Sequence, residues 1–197
     1  MTPIVLCSTA AHRAALLRRL GPPFEATRPD FDEHGLEHLP PADLAAAYAL
    51  GKARSLSARY AEAGALLIGA DQVPEIDGGI LRKAESAEEC ERQLARLSGR
   101  EHTLHSAVAV VDSVTGRAEV TCVSVRLTMR LLSAAQIRRY VEADRPIGSA
   151  GGYTYEGLGV SLFADVRGQD DSAIIGLPLL AVVELLGRFG VDPLGSP

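Results

Sequence analysis

A carboxylate directly after a buried apolar run is the first candidate for chemistry in this chain. The segment LLIGADQ, residues 66–72, has the composition of a buried strand that ends at Asp71. Open α/β sheets bind ligands beyond the carboxyl ends of their strands, where a carboxylate can serve as a general base or hold a metal ion. The alternative is an aspartate that only caps a helix or forms a turn. Other charges that converge on Asp71 would favour catalysis.

Two basic residues lie on apolar helix faces, where a charge must pair, reach solvent or bind a ligand. Helical spacing puts Arg13 on the stripe of Leu16 and Leu17, and it puts Lys52 on the stripe of Tyr48. For each residue, snorkelling to solvent or an ion pair is the alternative to ligand binding.

Two short charged segments extend this set of groups. Asp32 and Glu33 precede His34 in a loop, and Arg82 precedes Lys83. Carboxylates can hold a divalent cation, while basic side chains neutralise phosphate oxygens. Charge runs in loops are often only solvated, so spacing alone leaves both interpretations open.

Strands and helices alternate along the chain and must position these groups. A strand at residues 4–7 passes through Ser8 into a helix at residues 10–20, and a loop at residues 28–43 precedes a long helix at residues 42–60. The strand that ends at Asp71 follows. The later predicted elements are a turn at residues 76–80, helices at 86–97, 133–142 and from 178 onward, strands at 103–111 and 119–127 paired as a hairpin, and a strand at 160–166.

Length and charge limit the classes of protein that the chain can represent. Its 197 residues suit one large domain or two small lobes with a substantial core. With 20 Lys and Arg against 25 Asp and Glu, the net charge of -5 excludes a global basic field for nucleic acid or anionic lipid. A phosphorylated substrate therefore needs a local basic pocket or a metal ion.

The cysteines and the N-terminus predict a cytoplasmic protein. Cys7, Cys90 and Cys122 have no CxxC spacing, which is typical of a reducing compartment rather than of disulfides or structural zinc. The N-terminus lacks the basic region of a signal peptide, and no apolar run approaches the roughly 18 residues of a membrane span.

Two segments resemble motifs of a known family. VLCSTAAHRAALL, residues 5–17, resembles the opening S-x-S-P-x-R-x-x-L-L of the Maf nucleoside triphosphate pyrophosphatases, and GADQV, residues 69–73, resembles their central G-[AS]-D-[TQ]-V. Further matches follow in the family's order over nearly the whole chain. They are DE at residues 32–33, KA at 52–53, Lys83, LSG at 97–99 with His102, AGGY at 150–153 and IGLPL at 175–179.

This resemblance implies one Maf/ITPase-like domain over residues 1–197, of mixed α/β class, with an elongated and strongly curved sheet flanked by helices. An arrangement of this domain as two lobes around a central cleft is left open. The resemblance also implies a cytoplasmic homodimer that binds a nucleoside triphosphate and neither nucleic acid nor membrane. Its reaction is house-cleaning hydrolysis of an acid anhydride, with Mg²⁺ or Mn²⁺, to the monophosphate and pyrophosphate.

The family's roles transfer to matching positions. Asp71 takes the position of the proton acceptor, where a carboxylate can deprotonate or orient the water that attacks the α-phosphorus. Asp71 and Glu33 are the implied metal ligands. The backbone amides at the start of the first helix complete an anion site. The implied phosphate-binding side chains are Ser8, Arg13, Lys52 and Lys83.

Three positions match the family's base-discriminating sites: His12, Gln72 and Glu156. Gln72 and the segment containing Glu156 resemble the branch that cleaves 7-methyl-GTP, whereas the branch for dTTP and UTP usually has Thr and Gln there. A methylated guanine carries positive charge, which Glu156 would attract. The 7-methyl-GTP branch is therefore the preferred interpretation.

The chain also departs from the family pattern. Ala10 and Ala11 replace a Ser-Pro pair, Ala84 replaces a proline, and His12 stands where the 7-methyl-GTP branch usually has Trp. These changes leave two alternatives: the same reaction on dTTP, UTP or another pyrimidine nucleotide, or a nucleotide-binding regulatory protein that has lost catalysis. The retained Asp71 argues against the second.

Overall fold

The computed structural model describes residues 2–36 and 38–195. Its elements are, in chain order, β1 (Ile4–Leu6), α1 (Ala11–Arg18), β2 (Glu25–Ala26), α2 (Pro41–Arg54), α3 (Ser57–Tyr60), β3 (Leu66–Ile76), β4 (Gly79–Ile80), α4 (Ala87–Leu97), β5 (Glu101–Asp112), β6 (Ala118–Met129), α5 (Ala134–Asp144), a 3-10 helix (Leu158–Leu162), β7 (Phe163–Arg167), α6 (Ser172–Ile175) and α7 (Leu179–Arg188).

The strands form a seven-stranded mixed sheet in the order β2-β1-β3-β5-β6-β7, with β4 paired to β3. β1 is parallel to β2 and β3, whereas the β3–β4 and β6–β7 pairs are antiparallel. This arrangement confirms the predicted mixed α/β class with helices flanking the sheet. Among the described residues, no helix combines the length and apolar character needed to cross a membrane.

The chain groups into two compact units. The first unit comprises Met1–Gln72, Ser106–Val123 and Asp170–Pro197, and the second comprises Val73–His105 and Ser124–Gln169. That both units belong to one domain stays a prediction.

Apolar faces of helices and strands build the core of the first unit. The predicted stripe of α1 is buried through Leu16 and Leu17, which join Leu6 of β1, Ile68 of β3 and Leu185 of α7 in one cluster. Each such leucine or isoleucine stabilises the fold by about 1.5–3 kcal/mol when it leaves water. The core therefore fixes α1 and β3, the two elements that carry Arg13 and Asp71.

The prediction that Asp71 ends its strand is wrong, because β3 continues to Ile76. The continuation buries Val73, Pro74 and Ile76 and ends at a tight turn in which Asp77 and Gly78 have φ values of 55° and 74°. The parallel partner β1, however, stops at Leu6, opposite Ile68. Asp71 therefore lies beyond the carboxyl end of β1, although it lies inside β3.

The predicted long helix at residues 42–60 is also wrong, because the chain breaks between α2 and α3 at Ser55. The Ser55 hydroxyl donates a hydrogen bond to the Lys52 carbonyl at 2.8 Å, which competes with the helical backbone. It also accepts one from the Asp30 amide at 3.1 Å. The Ser55 hydroxyl therefore connects the loop before α2 to the end of that helix.

The second unit packs α4 and α5 around a core that includes Leu94, Leu97, Met129 and Ile137. Ser133 caps α5 as predicted, with Gln136 returning the hydrogen bond in a capping box. The predicted strand at residues 160–166 is shorter, because residues up to Leu162 form the 3-10 helix and β7 begins at Phe163.

Candidate active site

Close packing of α2 on β3 brings the first cation and carboxylate together. A Cβ at Gly69 would collide with the Ala49 carbonyl and the Ala53 amide of α2, so only glycine allows this approach. Lys52 lies between those two helix positions, and Asp71 lies two residues beyond Gly69 on β3. Backbone contact thus sets where the two side chains meet.

Lys52 binds two carboxylates at once. Its Nζ lies 2.5 Å from Asp71 Oδ1 and 2.7 Å from Glu33 Oε1. Only 8% of Lys52 and 9% of Asp71 is exposed, whereas the Glu33 side chain is 43% exposed. The pair at the buried end is therefore fixed, and Glu33 faces the solvent side.

Arg13 adds a second cation to the first unit. Its Nε donates to the Gly176 carbonyl at 3.0 Å, which fixes the guanidinium beside the end of α6. Burial lowers the pKa of the Arg13 guanidinium, while Asp71 and Glu33 oppose this change. The four charged groups therefore compensate one another electrostatically.

The environment of Asp71 suits a base. Burial raises the pKa of the Asp71 carboxyl, the ion pair with Lys52 and the charge of Arg13 oppose the rise, and Glu33 adds to it. A carboxylate with a raised pKa is a stronger proton acceptor than one in water.

Ser8 and the start of α1 lie in the connection after β1. The Ser8 hydroxyl accepts a hydrogen bond from the Ala10 amide at 3.1 Å, and no side chain caps the helix at Ala10. The amides of the first turn have no intrahelical acceptor, as in every helix, so they suit an anion. The loss of the family's Ser-Pro pair removes the hydroxyl at position 10 and leaves these amides in place.

The side chain of Gln72 forms hydrogen bonds with the backbone of α6. Its Nε2 donates to the carbonyls of Ala173 and Ile174 at 2.8 and 3.0 Å, and it lies 2.9 Å from the Ser106 hydroxyl. Ser106 also donates to the Ala173 carbonyl at 2.5 Å. Gln72 thus ties β3 to α6, a role that its sequence position did not indicate, and its reading of a base stays a prediction.

His12 occupies the exposed side of the first turn of α1. A Cβ placed on Gly176 would lie 3.7 Å from His12 Nε2, so the imidazole and the Arg13 guanidinium flank the same glycine. Its role in base recognition stays a prediction.

The other two predicted site residues belong to the second unit. Lys83 is exposed and forms an isolated antiparallel bridge with Ala150, which places it beside the glycine-rich segment. Glu156 is exposed in a turn that follows Tyr155. A Cβ at Gly152 would lie 2.9 Å from the Cys90 backbone, so the glycine-rich segment serves close packing.

Sequence reasoning missed the residues that hold Glu33. The Tyr48 hydroxyl donates to the Glu33 carbonyl at 2.5 Å, and the Phe31 ring packs edge-on against the Tyr48 ring at 5.9 Å. The sequence pattern identifies Tyr48 only as an apolar member of the Lys52 stripe. The one available signal was its hydroxyl on a buried helix face, which needs a partner.

Glu33 and Asp71 could hold a divalent metal ion, as the family resemblance implies. Both present carboxylate oxygens to one ammonium group, which shows that the position attracts positive charge. Within residues 2–36 and 38–195, no group of three or more His, Cys, Asp or Glu side chains is arranged to hold an ion. Mg²⁺ commonly uses one or two protein carboxylates with water and substrate phosphates, so the pair fits this type of site.

Comparison with known proteins places the chain in a family. The sequence model of the family described as Maf-like protein matches residues 3–189. A 7-methyl-GTP pyrophosphatase of Pseudomonas aeruginosa is 39% identical over 192 residues, which are 98% of this chain and 99% of that protein. Proteins of the same name from Bordetella parapertussis and Syntrophotalea carbinolica are 41% and 38% identical, covering 98% and 100% of this chain and 96% and 99% of their own lengths. The chain belongs to the family of Maf-like proteins.

Proposed function

We propose that this protein hydrolyses 7-methyl-GTP to 7-methyl-GMP and pyrophosphate. The observation that carries the proposal is the buried Lys52–Asp71 pair, joined by Glu33 and with Arg13 in the same electrostatic environment. The names of the similar proteins from three organisms support the choice of substrate.

Asp71 acts as the general base in this proposal. Its carboxylate accepts a proton from the water whose oxygen forms a bond to the α-phosphorus, and the bond between that phosphorus and the bridging oxygen breaks. Pyrophosphate leaves with the electron pair of the broken bond. The raised pKa of Asp71 favours this proton transfer.

Basic groups stabilise the charge that develops on the phosphate oxygens. Lys52 and Arg13 are held before the substrate binds, by two carboxylates and by the Gly176 carbonyl respectively. Preorganised charge of this kind is usually the largest single contribution to catalysis. Ser8, Lys83 and the amides at the start of α1 are the further proposed phosphate contacts.

The proposal includes a divalent cation, Mg²⁺ or Mn²⁺, held by Glu33 and Asp71. When bound, it would neutralise phosphate charge and withdraw electrons from phosphorus. The shared carboxylate environment of Lys52 supports this assignment, because two carboxylates already converge there.

Base recognition is assigned to His12, Gln72 and Glu156. An exposed carboxylate such as Glu156 attracts the positive charge of a methylated guanine, which unmodified GTP lacks.

We further propose a cytoplasmic homodimer. Free Cys7 and Cys90, both buried, are compatible with a reducing compartment, and light scattering of the purified protein tests the dimer.

The test measures pyrophosphate release from 7-methyl-GTP, GTP, UTP, dTTP and CTP, each with Mg²⁺ and with Mn²⁺. We expect selective cleavage of 7-methyl-GTP, with ¹⁸O from labelled water appearing in the monophosphate. Preference for UTP or dTTP would keep the reaction and change the substrate. Binding of nucleotides without any turnover would instead identify a regulatory protein.

A further inference from the structure

The loop that carries Glu33 is tied to α2 and α3 at successive points. Thr27 shares a hydrogen bond of 2.8 Å with the Tyr60 hydroxyl, and the Asp30 amide donates to Ser55 at 3.1 Å. The described residues of this loop, 27–36 and 38–40, contain neither a helix nor a strand, and ordered loops of this length are usually functional. These hydrogen bonds therefore hold the backbone of the loop in place where no helix or strand does so.

Three residues of the loop and of α2 form the contacts nearest to Glu33: Phe31, Tyr48 and Gly51. The Phe31 ring occupies the space that a Cβ on Gly51 would need, so the glycine lets the ring lie against the helix. The same ring meets the Tyr48 ring edge-on at 5.9 Å. The Tyr48 hydroxyl then donates to the Glu33 carbonyl at 2.5 Å.

Tyr48 and Lys52 are four residues apart on α2 and so lie on the same helix face. One holds the backbone of Glu33, and the other binds its carboxylate at 2.7 Å. A glutamate with a 43% exposed side chain has many rotamers open to it, so a fixed backbone narrows the region that its carboxylate can reach and favours the contact with Lys52.

We propose that Tyr48 is a positioning residue, whose hydroxyl holds the Glu33 backbone so that the Glu33 carboxylate stays beside Lys52 and Asp71. This inference rests on the proposed function in that it gives Glu33 a role in turnover. Tyr48 acts through Glu33 and does not itself touch the substrate.

Tyr48→Phe tests the proposal because it removes the hydroxyl and keeps the ring that packs against Phe31. Hydrogen exchange of the amides at residues 31–35 reports on the loop without any need for activity. We expect faster exchange there in Tyr48→Phe, with little change in thermal stability. The control Tyr60→Phe removes the hydroxyl bound to Thr27, and we expect faster exchange only near residues 25–28. Unchanged exchange at residues 31–35 in Tyr48→Phe would overturn the proposal.

A double-mutant cycle tests whether the effect passes through Glu33. Loss of one hydrogen bond should lower kcat/KM about five- to tenfold in Tyr48→Phe. The same substitution should have almost no further effect in a Glu33→Gln background. An equal loss in both backgrounds would overturn the proposal. If the unaltered protein hydrolyses no nucleotide, the proposed function fails, and the exchange measurement still decides the role of Tyr48.

Discussion

Each unit contains a buried pair of titratable side chains, and the two pairs differ in charge. In the first unit, Lys52 and Asp71 are buried as a charged pair at 2.5 Å, with Glu33 as a further partner of Lys52. In the second unit, His102 is only 2% exposed, and its Nε2 lies 2.7 Å from the Tyr153 hydroxyl. Among the residues that the structure describes, His102 Nδ1 has no hydrogen-bond partner.

This difference shows what keeps a buried group charged. Burial lowers the pKa of His102 to about 4 and raises the pKa of Tyr153, so both groups are neutral near pH 7. Asp71 experiences the same desolvation, but Lys52 and Arg13 oppose it. The second unit packs aromatic rings around a neutral pair, whereas the first buries a charged pair that further charges compensate.

Removing the central cation should have the largest effect. Lys52→Met leaves two carboxylates facing each other, and we expect the free energy of unfolding to fall by more than about 3 kcal/mol. Denaturant titration measures this loss. Lys83→Met is the matched control, since Lys83 is exposed, and it should change stability by less than about 0.5 kcal/mol. Equal effects of the two substitutions would refute the compensated-charge interpretation.

Asp71→Asn should lower kcat by at least about a hundredfold, because it removes the proposed base while keeping the shape of the side chain. Steady-state turnover and nucleotide binding by calorimetry separate catalysis from affinity, and binding should be retained. The control is Asp32→Asn, whose side chain is 79% exposed. Activity near that of the unaltered protein in Asp71→Asn would exclude Asp71 as the base.

The neutral histidine predicts a pH dependence of stability. Its pKa is about 4 in the folded protein and 6.5 when unfolded, so the unfolded chain binds more protons between these values. Stability should therefore fall as the pH drops through this window, by about 2 kcal/mol from about pH 7 to about pH 5. His102→Gln should remove that part of the dependence, and exposed His38→Gln should not. An unaltered pH profile in His102→Gln would show that folding does not shift the pKa of His102, and it would contradict the neutral buried state.

The smallest effect is expected at the exposed carboxylate of Glu156. Glu156→Gln should reduce the preference for 7-methyl-GTP over GTP a few-fold, because an exposed charge contributes no more than about 1 kcal/mol. Relative kcat/KM values for the two nucleotides measure this preference, with exposed Glu101→Gln as the control. An unchanged ratio would remove Glu156 from base recognition.

The sequence identified Arg13, Lys52 and Asp71 as candidates because each carried a local signal, whereas Glu33 was assigned only through the family resemblance. Arg13 and Lys52 stood on apolar stripes, and Asp71 followed a buried run. The structure brings Lys52, Glu33 and Asp71 together and places Arg13 within their electrostatic reach. Their chemical roles remain predictions.

Other features depend on contacts between distant segments, and periodicity does not encode them. The hydrogen bonds of Gln72 to α6 join residues about a hundred positions apart, at a separation of 101 for Ala173. The break of the helix at Ser55 follows from a side chain that competes with the backbone, and local patterns do not favour the break over a continuous helix. The turn at residues 76–80 was predicted, but the continuation of β3 from Asp71 up to that turn was not.

The absence of a side chain at Gly69 has a consequence for how the protein tolerates change. Since the backbones of α2 and β3 touch there, their separation does not depend on which apolar side chains fill the surrounding core. Substitutions that repack the core can accumulate while the distance between the amine of Lys52 and the carboxylate of Asp71 stays constant. Gly69 thus sets the distance between α2 and β3 independently of the side chains that fill the core.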